Sequence, residues 1–252
     1  MTEFRPGRFQ ILPTIVKNLI IINALVFLAQ TVFGTALGFS FEDVFALHTW
    51  QSPLFKPWQF ITHLFLHGSI GHIFGNMLAL WMFGAILENL WGPRRFLIFY
   101  LVCGLGAALS HMIVLYMGNQ NMIHDYNLYL GSAGNNYNQA LLFVQKYGNG
   151  AVATPQQIFD YRLNEATLGA SGAVFGCLAA FGYLFPNTYI YLGFLIPVKA
   201  KWFVIMYAAF ELMNAIQNSA GDNVAHVAHL GGALVGFILV YFWNKNNRRN
   251  FY

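Results

Sequence analysis

The chain has 252 residues, of which 57% are hydrophobic and 9% charged, against about 25% charged in an ordinary soluble domain. Thirteen Lys and Arg and nine Asp and Glu cannot wet the surface of a globule this size, which excludes a soluble enzyme, a disordered chain and a nucleic-acid binder. The net charge of +4 then belongs to membrane topology rather than to a phosphate-binding face. Cys103 and Cys177 sit in apolar runs and read as small core residues, too few for a disulfide framework or a thiolate metal site.

In chain order, six apolar stretches are long enough, or nearly so, to cross a bilayer core about 30 Å thick: 15–36, 69–90, 94–117, 167–186, 202–218 and 224–243. The first follows Arg5, Arg8 and Pro13 but lacks a small-residue cleavage site, so it reads as a span and not a signal peptide. Loop 37–68 is aromatic-rich and suits the headgroup zone. Loop 118–166 carries Thr154-Pro155-Gln156-Gln157, a capping box with proline at the first helical position, which predicts a short helix over about 155–164. The reading is an all-α, polytopic membrane protein, a single domain over 1–252. Ten of the thirteen basic residues (Arg5, Arg8, Lys17, Arg94, Arg95, Lys199, Lys201, Lys245, Arg248 and Arg249) fall in one compartment. By the positive-inside rule both termini are cytoplasmic and the two long loops face outward.

Polar side chains inside spans are costly and mark function. His72 and Asn76 are four apart at the start of span 2 and share a helix face. Gly169-Ala170-Ser171-Gly172 opens span 4, and Ala228-His229 lies early in span 6. Spans 2, 4 and 6 run the same way. At about 1.5 Å per residue, Asn76, Ser171 and His229 therefore lie at a shared depth below the outer surface. Gly172-x-x-x-Gly176 and Gly232-x-x-x-Gly236 are small-residue faces that let helices approach closely. Packing them together brings Ser171 and His229 within hydrogen-bond reach.

These motifs, with Gly84-x-x-x-Glu88-x-x-x-Gly92 later in span 2, resemble the rhomboid intramembrane serine proteases over roughly residues 55–243, in the family's order. A serine hydroxyl needs a neighbouring base, and His229 can serve near neutral pH; the resemblance implies the same Ser171–His229 dyad. No acidic third member is evident. Asp222, seven residues before His229, would lie about 10 Å away along a helix. Phe175, one turn below Ser171, can place its ring against His229; the family usually has tyrosine there. Asn76, His72 and the Ser171 backbone N–H are the expected oxyanion donors, an assignment the resemblance supports. Loop 219–224 could act as a lid. The resemblance also implies transmembrane protein substrates, entering laterally from the lipid and cleaved near their outer ends; no cofactor, metal or nucleic acid is expected. A plasma (inner) membrane is the expected location. Trp58-Gln59 stands where the family often has Trp-Arg, which puts a loop-anchoring contact in question but not the chemistry.

Other polar residues are read structurally. Glu88 is expected in an interfacial ion pair with Arg94 and Arg95, and Glu211 as a buried, hydrogen-bonded or protonated acid rather than a proton relay. His111 reads as a packed interior residue, His48 and His124 as loop residues. His226 either contacts His229 or faces the cavity. Three competing functions are a metalloenzyme built on His63, His67, His226 and His229, a non-catalytic client-binding protein of the same fold, and a transporter using Glu211.

Overall fold

The computed structural model describes residues 9–131, 137–192, 195–217 and 225–247, and they are mostly helical. Helix α1 (Thr14–Leu37) leads through the short helices α2 (Phe41–Phe45) and α3 (Gln59–Thr62) to α4 (Ile70–Ala79). Helix α4 continues through a π-turn at Leu80–Gly84 into α5 (Ala85–Trp91). Helix α6 (Pro93–Gly131) is followed by α7 (Tyr137–Tyr147), α8 (Pro155–Leu163) and α9 (Ser171–Leu184). A two-stranded antiparallel hairpin, β1 (Tyr189–Leu192) and β2 (Ile196–Lys199), leads to α10 (Ala200–Gln217) and α11 (His226–Asn247). The hairpin is an addition to the all-α expectation.

Helix occupies each of the six apolar stretches. Four helical segments are long and apolar enough to cross a membrane: Thr14–Gly34, Ile70–Trp91, Pro93–Gly131 and His226–Lys245. Helix α9 has only 14 residues, about 21 Å at the α-helical rise. Ten of those residues, from Gly172 to Gly182, are buried. It is surrounded by protein rather than lipid, so its length need not match the bilayer. Conversely α1 leaves Ile21, Leu25, Leu28 and Val32 exposed, as a lipid-facing helix does.

The core lies between α6, α9 and α11. Phe96, Phe99, Tyr100 and Cys103 of α6 are buried at helical spacing, and Cys103 and Ala107 fit the small residues of α9. A methyl group placed on Gly172 would overlap Ala107, and one on Gly176 would meet Cys103 Sγ at 2.5 Å. Both cysteines are free and buried.

Three local readings are changed by tertiary contacts. Glu88 is not paired with Arg94 or Arg95. It is 3% exposed, and its two carboxylate oxygens accept the backbone N–H groups of Ile15 and Val16 at 2.9 and 2.8 Å. These are first-turn donors of α1 that have no intrahelical acceptor, and a negative charge at that helix end is favourable. Proline at position 13 cannot supply a capping side chain, so Glu88 does. Arg95 instead lies over the Trp243 ring, 4.1 Å from its centroid.

Gln59 supplies the anchor that was in question. Its side chain is fully buried; Oε1 accepts the N–H of Lys56 and His48 (3.0 and 3.3 Å), and Nε2 donates to the carbonyls of Leu54 and Val44 (2.9 and 3.3 Å). One amide offers both donors and acceptors, so it ties the loop between α1 and α4 from several sides without a charge.

Helix α6 does not end near residue 117. Its 39 residues span about 58 Å at the α-helical rise, nearly twice a bilayer core. The excess turns carry His124, which is therefore helical rather than in a loop. They also build a separate small core of Met122, Tyr126, Phe143, Ile158 and Leu163 with α7 and α8. Tyr126 stacks on Phe159 with centroids 4.1 Å apart, and Asp125 binds Lys146 and the Tyr147 hydroxyl at 2.6 and 2.7 Å. The capping box at Thr154 is present and starts α8.

Candidate active site

The close pairing of α9 and α11 brings the predicted residues together. The two glycine faces meet backbone to backbone: a methyl group on Gly232 would overlap the Gly172 carbonyl, and one on Gly236 would lie 2.6 Å from the Gly176 oxygen. The helices can approach this closely only without side chains at these positions. Ser171 is the first residue of α9 and His229 lies in the first turn of α11. At this separation His229 Nε2 is 2.8 Å from Ser171 Oγ.

The segment before Ser171 is clamped by the loop between α1 and α4. Leu47 and Thr167 form an antiparallel bridge with both N–H···O bonds at 2.9 Å, and the Gly169 N–H donates to the His63 carbonyl at 2.9 Å. Gly169 has φ +131°, a conformation that L side chains rarely adopt. A methyl group there would also lie 2.9 Å from His72 Nε2 and 3.5 Å from Ser171 Oγ. The His72 ring and the Ser171 hydroxyl thus flank one small space that only glycine leaves open.

Phe175 stacks on His229 as expected, with centroids 4.3 Å apart and planes 6° from parallel. Tyr207 of α10 packs against Phe175 in turn, with ring centroids 4.9 Å apart. Asn76 is 7% exposed, and its Nδ2 is buried without a hydrogen-bond partner. A buried amide N–H that makes no bond is costly and calls for an explanation. The Ser171 backbone N–H, at the start of α9, has no intrahelical acceptor by position.

Glu211 of α10 completes the cluster. It is 3% exposed. Its Oε2 lies 3.0 Å from His229 Nδ1 and 2.6 Å from His226 Nδ1. No spacing in the sequence selects this contact, because the two residues lie on different helices. The available signal was an acid inside a span. Loop 219–224, including Asp222, lies outside the described residues. Glu211, His226 and His229 also have ligand atoms within 4.8 Å of one another and could hold a metal ion; that group contains neither His63 nor His67 of the histidine-box alternative.

A rhomboid domain model matches residues 54–246. The chain belongs to the rhomboid family. It is 28% identical over 225 residues to RHOMBOID-like protein 12, mitochondrial, of Arabidopsis thaliana, covering 89% of this chain and 56% of that protein. It is 29% identical over 183 residues to Rhomboid protein 1, mitochondrial, of Saccharomyces cerevisiae, covering 72% and 40%. Rhomboid protease AarA of Providencia stuartii is 24% identical over 233 residues, covering 88% and 69%. The chain thus spans about half the length of the first two. Those two are named mitochondrial, so the expected plasma membrane finds no support; what stands is an integral membrane protein of the rhomboid family.

Two histidines in the loop between α1 and α4 of this rhomboid predict a pH dependence of its stability. Burial pushes the His63 imidazole down to about 4, only partly offset by its Nδ1–H donating to the Gln59 carbonyl at 2.7 Å. Burial and the neighbouring His72 lower His67 similarly, to about 4. In the unfolded chain both would titrate near 6.5. Between these values the unfolded state holds more protons, so stability is full above pH 6.5 and declines as pH falls toward 4. Each buried imidazole accounts for at most about 3 kcal/mol. Denaturation of purified protein across this range should show that decline, with a slope shallower by up to one proton in His63→Gln. An unchanged slope would remove His63 from the effect.

Proposed function

We propose that the chain is an intramembrane serine endopeptidase that cleaves transmembrane segments of other membrane proteins near their outer ends. The observation that carries this reading is the 2.8 Å contact between His229 Nε2 and Ser171 Oγ, made within an apolar helix bundle where an idle polar pair would be a burden. Relatives named as rhomboid proteases add support.

Ser171 Oγ attacks the scissile carbonyl carbon while its proton passes to His229 Nε2. The oxyanion that forms takes hydrogen bonds from the Ser171 N–H, the Asn76 amide and the His72 ring. The unpartnered Asn76 Nδ2 fits a donor kept for that oxygen. His229 then returns the proton to the leaving amine, the C–N bond breaks, and an acyl-Ser171 ester remains. Water, deprotonated by His229, hydrolyses the ester. Phe175 holds the imidazole plane. The six helices form a multi-pass bundle with cytoplasmic termini, and substrate enters laterally from the bilayer. A helical substrate must unwind locally to expose its carbonyl, which favours helix-breaking residues near the cut.

The test is labelling with a fluorophosphonate, which reports an activated serine. Wild-type protein in detergent and in liposomes should be labelled on Ser171, and Ser171→Ala and His229→Ala should not. Labelling that persists in Ser171→Ala would place the nucleophile elsewhere. A folded wild type that neither labels nor cleaves a transmembrane peptide would favour the client-binding alternative.

A further inference from the structure

The Ser171–His229 pair leaves one question open, namely what fixes the imidazole in the form that can accept a proton. A neutral imidazole has one N–H and one lone pair, and it serves as base only when the lone pair faces the serine. Phe175 fixes the plane of the ring, but stacking cannot choose between the two nitrogens.

Glu211 can make that choice. An ionised carboxylate only accepts hydrogen bonds. With Oε2 at 3.0 Å from His229 Nδ1, the proton must sit on Nδ1, and the lone pair then falls on Nε2, toward Ser171 Oγ at 2.8 Å. His226 Nδ1 donates to the same oxygen at 2.6 Å. His226 and His229 are three apart in the first turn of α11, so one turn of helix presents two donors to one carboxylate. Among the described residues, its ion-pair partners are these two imidazoles. A carboxylate in such a place is expensive unless it meets a positive charge, and the reaction creates one when His229 takes the serine proton.

We propose that Glu211 is a positioning residue that acts through His229 and turns the pair into a Glu211–His229–Ser171 chain of hydrogen bonds, with His226 holding the carboxylate in place. It sets the tautomer of His229 and stabilises the imidazolium that forms during attack. No proton passes to Glu211 in this scheme; the proton taken from Ser171 stays on His229 Nε2 until the amine leaves. The inference rests on the serine-protease reading above.

The experiment compares wild type, Glu211→Gln, Ser171→Ala and His229→Ala. It reads the second-order rate of fluorophosphonate inactivation, the thermal midpoint in detergent and the histidine tautomer by ¹⁵N NMR. Glutamine keeps the shape but can turn its NH₂ toward Nδ1 and favour the opposite tautomer. Glu211→Gln should therefore inactivate more slowly, by up to about 10⁴-fold, the loss seen when a triad Asp becomes Asn, with the thermal midpoint kept. The wild-type His229 signal should be that of the Nδ1–H tautomer. A Glu211→Gln rate within about threefold of wild type, while Ser171→Ala and His229→Ala are silent, would overturn the role of Glu211 and leave a two-residue mechanism. Should the variant not fold, the wild-type spectrum still decides, because an Nε2–H tautomer at His229 is incompatible with the proposal. Labelling unaffected in Ser171→Ala would instead sink the underlying reading.

Discussion

Ser171→Ala, His229→Ala and the double variant should all cleave a liposome-embedded transmembrane peptide at one common residual rate, on the order of 10⁶-fold below wild type. In the proposed mechanism the two side chains share a single step, the transfer of a proton from Oγ to Nε2, which lie 2.8 Å apart. Losing either disables that step, so losing both costs little more. Independent contributions would instead multiply, and a double variant far slower than either single one would argue against a shared step. In that mechanism the residual rate belongs to the proposed oxyanion donors: the Ser171 N–H, Asn76 and His72. Asn76→Ala in an otherwise wild-type chain should lose about 10²–10³-fold in the same cleavage assay while labelling remains detectable. A loss under about threefold would assign the buried amide to helix packing alone.

Gly232→Ala should cost both stability and activity. Alanine is the better helix former by about 1 kcal/mol, which by itself would stabilise α11. The added methyl group, however, would overlap the Gly172 carbonyl and lie 3.1 Å from Gly172 Cα. The obstacle is backbone, which cannot rotate away, so α9 and α11 must separate. Overpacking of this kind costs about 1–3 kcal/mol or more, and steric strain wins. A shift of about 1 Å in catalytic geometry can cost on the order of 10²-fold, and here it falls on the helix ends that carry Ser171 and His229. The thermal midpoint and the labelling rate should therefore fall together. Gly75→Ala is the control, since nothing lies within 4 Å of a methyl group there; it should leave both unchanged or raise the midpoint slightly. A Gly232→Ala protein with wild-type labelling would show that the helices do not need this contact.

Sequence alone determined the membrane class, because 57% hydrophobic and 9% charged residues leave no soluble alternative. It also determined the features whose physics is local. The capping box at Thr154 needs only four consecutive residues. The glycine faces at 172–176 and 232–236 follow from helical periodicity, and with them the Ser171–His229 contact. Phe175 lies one turn below Ser171 and so reaches the same ring. Tertiary structure decided the rest, where a polar group's partner is distant in the chain and no spacing rule selects it. Glu88 caps a helix 72 and 73 residues away, and Glu211 of α10 reaches His229 of α11 across 18 residues. In both cases the sequence shows an acid that must be satisfied somewhere in an apolar bundle. Which donor satisfies it depends on how the helices pack, and that is fixed by small-residue contacts and core volume rather than by the acid itself.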